Sequence, residues 1–425
     1  MKETIKIAYV GCGRRGRSVM KKCFSMMSDV DIVALCDIKA ENLEKTKEII
    51  VNNGKPVPPV MTADYDEILK NPEIDAVILM TGWDDRTAMA KKAMLAGKYT
   101  AVEVGCCETL EECFDLIDTY EKTGVPLMML ENCCYNRPEL MTLNMREKGL
   151  FGEIVHCTGA YAHYLPKEEL FHELYKIPDA TEVTHYRLAH YINSNRESYP
   201  THELGPISKI LNLNRGNRMV SLVSVASKAV GLKQYAKDHF GEDSKYANID
   251  YKQGDIFTTL ITCANGETIQ LTLDTTLPRP YYSRDYGVRG TKGLYMEERK
   301  VVFLEGMEEF KEVVSNEKEY FEKYDHPLQR EFQSLEEQRG GHGGMDYLVC
   351  RAFVESVKRG TNTPIDAYDT VLWMSIGALS EESIKTGRIV EVPDFTNGKW
   401  EHREPPVLGK YCLDVVCDDP DTPIY

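Results

Sequence analysis

The chain has 425 residues, which is room for two or three domains, and its apolar and charged fractions of 42% and 28% are ordinary for a globular enzyme. A formal net charge of -16 argues against nucleic acid and anionic membrane surfaces as partners, because the average field would repel them. No apolar run is long enough to span a membrane, and the 13 cysteines form no C-x-x-C pair, so we expect a cytoplasmic protein with reduced cysteines and no metal site.

The first predicted element is a buried strand that runs into a glycine-rich turn and a helix. Residues 5–10 have the apolar pattern of a parallel strand, and Gly11, Gly13 and Gly16 follow with the spacing G-x-G-x-x-G. Gly11 would allow the tight turn, Gly13 would let a pyrophosphate approach the backbone, and Gly16 would let the helix pack on the strand. The pattern therefore predicts a dinucleotide site, with a plain strand, turn and helix as the alternative.

A second apolar strand ends at an acidic residue that fits this interpretation. Asp37 follows the third glycine by about 20 residues, where a ribose-binding acid is expected in dinucleotide sites. Its carboxylate favours NAD over NADP because it would repel a 2′-phosphate, although Lys39 nearby leaves NADP open. Arg14 and Arg15 lie inside the glycine-rich loop and are predicted to contact the same cofactor.

Strands and helices alternate up to residue 152, which predicts an N-terminal α/β domain, residues 1–152, with a doubly wound parallel sheet of the Rossmann type. Ligands bind at the carboxyl edge of such sheets, so polar and aromatic residues at the strand ends are candidate cofactor contacts. These residues are Thr81, Trp83, Glu103 and Asn132. The alternatives are capping of the next helix and, for Trp83, covering of the core.

From residue 153 onward the sequence is rich in β-type segments separated by glycine and asparagine turns. We predict a second domain, residues 153–425, of α+β type with an open, mainly antiparallel sheet. Two long irregular loops are predicted, at residues 164–207 and 278–286, and loops of that length are usually functional. The remaining predicted elements are charged helical segments at about 308–338, two long helices near 346–358 and 366–386, and a C-terminal arm that packs back on the first domain.

Two short segments place a histidine beside tyrosines. In SYPTHELGP, predicted as a loop before a helix, Tyr199 precedes His202, and a histidine there is a candidate general acid or base. In GAYAHY, Tyr161 and His163 face the same side of a predicted strand because successive residues alternate. The alternative for His202 is a structural role, either as a cap of that helix or as a core residue whose hydrogen bonds are made within the protein.

Two later loops carry further candidates. Tyr281 and Tyr282 lie between arginines in PRPYYSRDYG, and such clusters suit either sugars, through stacking and hydroxyl contacts, or oligomer interfaces. The segment GGHGGMD ends in Asp346, a predicted helix N-cap, and His342 within it is either a ligand contact or a structural loop residue.

Several long and unusual segments resemble one family along nearly the whole chain. They include LENCCY, GLFGEIVH, GAYAH, NRGNRM, PRPY, HGGMDY, YDTVLW and PDFTNGKW. The nucleotide half resembles the Gfo/Idh/MocA oxidoreductases, and the rest resembles their glycosidase branch, glycoside hydrolase family 109, whose known activity is that of an NAD-dependent α-N-acetylgalactosaminidase. Dehydrogenases of the parent family carry an E-K-P segment with a catalytic lysine, whereas this chain has Glu103-Val104-Gly105, which favours the glycosidase branch.

The resemblance implies a tightly bound NAD that is recycled within each turnover. A hydride leaves C3 of the sugar, the C2 proton is removed as the glycosidic oxygen departs, water adds to the enone, and the hydride returns. The paired carboxylates of ordinary glycosidases are then not needed. The implied catalytic residues are His202, Tyr199, Tyr161 and Tyr282, and the implied sugar contacts are His163, Arg187, Tyr281 and His342.

Two of these residues have implied steps. His202 would act at the C3 hydroxyl, and Tyr161 would act at C2 or at the leaving group. Because a free tyrosine has a pKa of about 10, a basic Tyr161 needs a positive neighbour, for which His163 or the nicotinamide ring is expected.

Three departures from the family limit the substrate prediction. The family pattern H-D-L-R is HYLP at residues 163–166, N-G-N-L is NRES at residues 195–198, and Glu203 replaces a glycine. The reaction type is expected to survive these changes, while the sugar, the anomer and the need for an N-acetyl group stay open. Two other functions also stay open, an NAD-dependent sugar dehydrogenase or epimerase-like oxidoreductase and a non-catalytic, NAD-holding sugar-binding protein. By family analogy we expect a homodimer or homotetramer that acts on a small glycoside or glycan terminus.

Overall fold

The computed structural model of the chain describes residues 1–177, 180–308, 313–332, 342–405 and 409–417. At residue 342 it describes the backbone and not the side chain. None of the helices in these ranges is long and apolar enough to cross a membrane.

The N-terminal part forms a six-stranded parallel sheet with the strand order β3-β2-β1-β4-β5-β6. Its strands are β1 (Ile5–Val10), β2 (Val30–Cys36), β3 (Val60–Thr62), β4 (Ala76–Leu79), β5 (Tyr99–Val102) and β6 (Leu127–Met129). The helices of this part are α1 (Arg14–Lys22), α2 (Ala40–Asn52), α3 (Tyr65–Lys70), α4 (Trp83–Leu95), α5 (Leu110–Thr123) and α6 (Arg137–Glu147). The strand order reverses between β1 and β4, so the carboxyl ends of these strands open the crevice in which such sheets bind ligands. The predicted doubly wound sheet is confirmed.

Burial explains why these strands form the centre of the first sheet. β1 and β4 are buried at nearly every position, so both faces of the sheet are covered and the strands appear in the sequence as continuous apolar runs. The short β3 lies in a segment predicted as a loop, because three half-buried residues after a proline-rich stretch show no periodicity.

The second part forms an eight-stranded sheet with the order β13-β12-β11-β7-β10-β9-β8-β14. Its strands are β7 (Ile154–Ala162), β8 (Met219–Ala226), β9 (Ile256–Cys263), β10 (Thr268–Asp274), β11 (Gly287–Gly290), β12 (Gly293–Met296), β13 (Val301–Leu304) and β14 (Val390–Glu391). β7 and β10 run parallel and the other neighbouring pairs are antiparallel, which confirms the predicted open, mainly antiparallel sheet. Burial alternates along β9 and β10, so one face belongs to the core and the other carries exposed residues such as Leu260.

The second part also contains helices. In the described ranges they are α7 (His172–Lys176), α8 (Tyr186–Asn193), α9 (Thr201–Ile210), α10 (Gly231–Phe240), α11 (Glu317–Tyr324), α12 (Pro327–Phe332), α13 (Met345–Arg359) and α14 (Ala367–Thr386). α9 packs on β7, and α14 packs on β8 and on α5 of the first sheet. α13 packs on α1 and on a 3₁₀ turn, Asn132–Tyr135, that follows β6. In the described C-terminal arm, the Tyr411 carbonyl accepts a hydrogen bond from the Tyr135 hydroxyl at 2.9 Å.

Two local predictions are wrong. The segment 164–207, predicted as an irregular loop, contains a π-helical turn (Pro166–Leu170), α7, α8 and most of α9, so His202 lies in a helix. The sequence predicts a helix that starts after Pro206. In the structure α9 already runs through this proline, because the residues of α9 are almost all buried against β7 and α14.

Asp346 is not an N-cap, because Gly344 holds that position and Asp346 lies in the first turn of α13.

Candidate active site

The glycine-rich loop connects β1 to α1, and its three glycines have different surroundings. Gly11 has a φ of +92°, and a Cβ there would lie 2.6 Å from the backbone of Met80. A Cβ on Gly16 would lie 2.2 Å from the carbonyl oxygen of Gly11, so this glycine lets α1 pack on the strand. Around Gly13, no heavy atom of the described residues beyond its own turn lies within 4 Å of the Cβ position. Its backbone therefore offers an open surface at the N-terminus of α1, where N–H groups can hold a pyrophosphate.

Asp37 follows β2 and is fixed against this loop. Its Oδ2 accepts a hydrogen bond from the N–H of Cys12 at 2.7 Å. Its Oδ1 accepts hydrogen bonds from the N–H of Lys39 at 2.8 Å and from the Asn42 amide at 3.2 Å. The remaining lone pairs and the negative charge of Asp37 suit a ribose diol and disfavour a 2′-phosphate. The residues present therefore fit NAD.

Arg15 forms a cluster with residues from distant parts of the chain. Its guanidinium donates two hydrogen bonds to Asp346 on α13, at 2.8 and 2.9 Å, and one to Glu103 after β5 at 3.2 Å. Asn132 donates a hydrogen bond to the same Asp346 carboxylate at 2.7 Å. Three residues predicted to bind the cofactor are thus brought together around Asp346, for which the sequence analysis predicted only an N-cap role. No local pattern indicates it, because Asp346 lies 331 positions from Arg15.

Arg14 has a different environment from Arg15. It is exposed and forms an ion pair with Glu169, and it donates a hydrogen bond to the carbonyl oxygen of Glu168 at 3.4 Å. Both glutamates belong to the π-helical turn Pro166–Leu170. Arg14 therefore links the glycine-rich loop to the second part of the molecule.

Arg86 on α4 is another residue that the sequence analysis missed. It is buried, and its guanidinium donates hydrogen bonds to the carbonyl oxygens of Glu103, Val104, Gly105 and Thr81. These carbonyls lie just beyond the ends of β4 and β5, so one side chain fixes the edge at which Thr81 and Glu103 are predicted to bind the cofactor. An arginine in the first turn of a helix is usually a surface residue, so the sequence gives little sign of this role.

Trp83 joins the dinucleotide-binding edge to the second part of the molecule. Its buried ring lies 5.2 Å from the ring of Tyr186, 5.3 Å from that of His190 and 5.9 Å from that of Tyr199, measured between centroids. The guanidinium of Arg187 lies 5.1 Å from the Trp83 ring and 4.8 Å from the Tyr199 ring. Both distances are those of cation–π contacts.

His202 is oriented by a buried carboxylate. Its Nδ1 lies 2.8 and 2.9 Å from the two carboxylate oxygens of Glu131, which is fully buried after β6. Burial raises the pKa of Glu131, but the facing His202 ring and hydrogen bonds from Thr201 and the N–H of Cys133 outweigh it and hold this pKa below its usual value. The ionised Glu131 accepts a hydrogen bond from the N–H at Nδ1, so Nε2 of His202 remains available to a ligand. The sequence analysis predicted its neighbour Asn132 as a site residue and not Glu131.

The same residues are spaced as metal ligands could be. One ligand-type atom of each of Glu131, Cys133 and His202 lies within 4.8 Å of the others. However, burial raises the pKa of the Cys133 thiol and disfavours the thiolate that binds metals. In addition, Nδ1 of His202 is already hydrogen-bonded to Glu131, so this nitrogen is not available to an ion.

Tyr161 lies at the centre of the predicted catalytic residues. Its ring stacks on that of Tyr199 with 4.3 Å between centroids. It makes edge-to-face contacts with the rings of His202 and Tyr282, with centroid distances of 5.4 and 6.1 Å. Its hydroxyl lies 3.3 Å from Nδ1 of His163. The four residues predicted as catalytic are therefore in one cluster.

Arg187 supplies a positive charge to this cluster. Burial raises the pKa of Tyr161 above its usual value, and the guanidinium of Arg187 opposes the rise through its charge and a hydrogen bond. Arg187 is therefore a cation that the sequence analysis did not consider for this role, while His163 is a hydrogen-bond partner of the hydroxyl. Nε of Arg187 is buried without a hydrogen-bond partner in the described part of the chain, so it can serve a ligand.

The remaining sugar-binding predictions have mixed outcomes. Tyr282 contacts the His163 ring at 5.2 Å and lies beside the cluster. Tyr281 is 55% exposed, and its ring makes no aromatic or cation contact with another described residue. The prediction for the His342 side chain lies outside what the structure describes.

Two family models match the chain. A model of the NAD-binding Rossmann fold of the oxidoreductase family Gfo/Idh/MocA matches residues 5–131. A model of the glycosyl hydrolase 109 C-terminal domain matches residues 135–402. The match to the first model covers the glycine-rich loop, and the match to the second covers the tyrosines and His202.

Curated relatives are similar over nearly the full chain. An α-N-acetylgalactosaminidase of Tannerella forsythia is 38% identical over 417 residues, which cover 94% of this chain and 88% of the relative. Another α-N-acetylgalactosaminidase, from Shewanella oneidensis, is 37% identical over 410 residues, which cover 95% of this chain and 87% of the relative.

Solved structures share the fold. Levoglucosan dehydrogenase in complex with NADH has a TM-score of 0.66 and 17% identity, covering 92% of this chain and 99% of its own. A scyllo-inositol dehydrogenase of Lactobacillus casei with bound NAD(H) and scyllo-inositol has a TM-score of 0.62 and 14% identity, with the same coverage. At these identities the likeness concerns the fold alone.

Proposed function

The chain belongs to glycosyl hydrolase family 109, and from that premise we propose that it is an NAD-dependent α-N-acetylgalactosaminidase. The relatives that carry this name support the substrate class. The observation that carries the proposal is the hydrogen bond between His202 and the buried Glu131, next to the stacked rings of Tyr161 and Tyr199. It provides an oriented acid and base beside Tyr199, whose ring lies 5.9 Å from that of Trp83 at the dinucleotide-binding edge.

His202 exchanges a proton with the C3 hydroxyl of the sugar. When bound, NAD supplies a transient acceptor for the C3 hydride. Nε2 of His202 takes the hydroxyl proton, while Glu131 holds the Nδ1 proton and stabilises the imidazolium. The same nitrogen returns the proton when the hydroxyl is restored. The ring of Tyr199 orients His202 through an edge contact at 4.9 Å.

Tyr161 serves the glycosidic oxygen. Its raised pKa keeps it as a phenol at neutral pH, so it can donate a proton as that oxygen departs. The phenolate that is left, stabilised by Arg187, takes the proton that C2 loses in the same elimination, so Tyr161 is a phenol again at its end. Tyr282, 6.1 Å from Tyr161 between centroids, closes the cluster on the sugar side.

NAD remains bound between turnovers in this proposal. The ion pair of Arg14 with Glu169 supports it, because the glycine-rich loop is thereby joined to the second part of the molecule. A cofactor that is recycled within each turnover has no need to leave.

The proposal includes a homodimer or homotetramer in the cytoplasm. The exposed face of the second sheet supports self-association, since Val225 and Leu260 on adjacent strands are 62% and 47% exposed. All cysteines are free thiols, which supports a reducing compartment.

The function is tested with a panel of aryl α- and β-glycosides that includes N-acetylgalactosaminides, assayed with substoichiometric NAD⁺. Phenol release and NADH absorbance are followed together. Many phenols released per NAD⁺ without accumulation of NADH, with preference for the α-N-acetylgalactosaminide, are expected. NADH that accumulates in step with product would identify a sugar dehydrogenase, and no turnover on any glycoside would contradict an enzymatic role. Glu111→Gln, a substitution of an exposed residue on α5, is prepared and assayed in the same way as a control for activity lost during preparation.

A further inference from the structure

Two glutamates are buried beside the proposed catalytic histidine. Glu197 and Glu203 are 0% and 1% exposed. Glu197 Oε1 accepts a hydrogen bond from the N–H of Tyr199 at 3.2 Å. The other three carboxylate oxygens, Oε2 of Glu197 and both oxygens of Glu203, have no hydrogen-bond partner among the described residues. Neither glutamate has an ion-pair partner in the described part of the chain.

The two side chains are enclosed by three elements. Glu203 follows His202 on α9 and is pressed onto β7, since its Cβ lies 2.6 Å from where a Cβ of Gly159 would be. Glu197 is anchored to α14, because its N–H donates a hydrogen bond to the Ser380 hydroxyl at 2.9 Å and its carbonyl oxygen lies 3.4 Å from the Cβ position of Gly377. Glu197 and Glu203 thus bracket the segment 197–203, which carries Tyr199 and His202.

The charges that face this pair are negative. Glu197 and Glu131 both act on Glu203 as like charges. The titratable or hydroxyl groups around the pair are Glu131 after β6, His202 on α9, Tyr199 in the preceding loop, Tyr191 on α8 and Ser380 on α14. Of these, His202 is already hydrogen-bonded to Glu131.

An unpaired carboxylate in such surroundings is strongly unfavourable, so the pair must hold protons. Burial raises the pKa of Glu197 to about 8. Burial and the like charges of Glu197 and Glu131 raise the pKa of Glu203 well above its usual value. Near neutral pH, both side chains are then mainly carboxylic acids, which pack without a counter-charge.

We propose that Glu197 and Glu203 are positioning residues that act in their protonated form, packing the segment 197–203 onto β7 and α14 so that Tyr199 and His202 stay in place. Loss of these protons at alkaline pH leaves unpaired charges in the interior and loosens the segment. The inference rests on the proposed function, because its catalytic consequence is that the alkaline limit of activity is set by these two acids. They contact neither the cofactor seat nor the reacting atoms in this scheme.

The test uses Glu203→Gln, Glu197→Gln and the double variant, because a glutamine amide resembles a protonated acid and cannot ionise. Glu111→Gln on the exposed side of α5 is the matched control. Two quantities are measured across about pH 5 to 10: kcat/KM with the aryl glycoside, and the Tm of the protein without substrate.

Linkage gives the sign of the expected change. An acid with a raised pKa in the folded state binds more protons than in the unfolded state, so wild-type stability falls as pH rises from about 4.5 toward the folded pKa. The glutamine variants lack this loss of stability. The difference between their Tm and that of the wild type should therefore become more positive as pH rises. The alkaline limb of kcat/KM is expected to move upward by about one pH unit or more, while Glu111→Gln follows the wild type.

Three results would overturn the proposal. One is a set of pH profiles for the glutamine variants that superimpose on the wild type. Another is an equal loss of Tm at every pH, which would indicate a merely structural role for the carboxyl groups. Failure of the single variants to fold at pH 6 is the third, because the neutral side chains should be tolerated there. The Tm measurement needs no turnover, so it remains decisive if the proposed glycosidase activity is itself disproved.

Discussion

Nδ1 of His202 lies within hydrogen-bond distance of both carboxylate oxygens of Glu131, at 2.8 and 2.9 Å. Because the carboxylate can only accept, it fixes the proton on Nδ1 and keeps Nε2 available to the substrate. The arrangement requires no second histidine and no metal ion to orient the ring.

Glu131→Gln should lower kcat strongly. The amide can donate a hydrogen bond to Nδ1 and so favour the other tautomer, with the proton on Nε2, and it cannot stabilise an imidazolium. We expect kcat to fall by about 10²- to 10⁴-fold with little change in KM, measured by steady-state kinetics on an aryl glycoside. Glu111→Gln should retain wild-type kinetics, and a kcat for Glu131→Gln within threefold of wild type would contradict the assignment.

Gly13→Ala should affect NAD binding, whereas Gly16→Ala should affect the stability of the fold. Gly13 has a φ of -67°, which suits alanine, and open space at its Cβ position, so its alanine variant should fold normally and lose NAD affinity about tenfold or more. A Cβ on Gly16 would lie 2.2 Å from the Gly11 carbonyl oxygen, so Gly16→Ala should lose about 1 to 3 kcal/mol of unfolding free energy. Urea unfolding without NAD and titration with NAD separate the two effects. Normal NAD affinity in Gly13→Ala would contradict the pyrophosphate surface.

Asp346→Asn should weaken both the fold and the cofactor site. It removes the charge that compensates Arg15, which is otherwise bonded to Glu103. We expect a loss of about 1 to 3 kcal/mol in unfolding free energy together with weaker NAD binding, measured by urea unfolding and by calorimetric titration. Glu41→Gln breaks the exposed pair of Glu41 with Lys45 and should leave the unfolding free energy close to that of the wild type, because exposed ion pairs contribute little to stability. Equal losses in the two variants would mean that the Arg15 cluster has no special role.

His326 should make the fold sensitive to acid. Burial, aided by the charge of Arg330, lowers the pKa of His326 to about 3, whereas an unfolded histidine titrates near 6.5. A group with a lowered histidine pKa contributes stability that is present above pH 6.5 and is lost progressively as pH falls toward the folded value.

We therefore expect His326→Asn to remove part of the acid destabilisation. Asparagine can still accept the hydrogen bond that the N–H of Leu328 donates to Nδ1 of His326 at 3.2 Å, and it does not titrate. Its Tm relative to wild type should rise as pH is lowered from about 7 to 4, while the exposed His239→Asn variant should keep the wild-type slope. Parallel Tm curves for His326→Asn and wild type would contradict the prediction.

Local patterns were sufficient for the parts of the fold that depend on nearby residues. The glycine spacing of Gly11, Gly13 and Gly16 describes a turn whose contacts lie within or beside one strand and one helix. The alternating burial of β9 and β10 is likewise visible in the sequence. Both are consequences of backbone geometry over a few residues.

Long-range contacts and tertiary burial account for what was missed. Pro206 favoured a loop before it, and only the packing of α9 against β7 and α14 makes His202 helical. Asp346 and Arg86 have roles set by partners far along the chain or by strand-end carbonyls, and neither role has a periodic signature. Glu203 was recognised as a departure, but its missing partners can be seen only in the folded structure.

During synthesis, Arg15 leaves the ribosome 331 residues before Asp346. At about 5 to 20 residues per second, this separation corresponds to roughly twenty to sixty seconds of translation. Over that interval the first sheet can form while the guanidinium of Arg15 faces only Glu103. A nascent chain that stops short of α13 thus lacks the Asp346 carboxylate that holds the Arg15 guanidinium beside the glycine-rich loop.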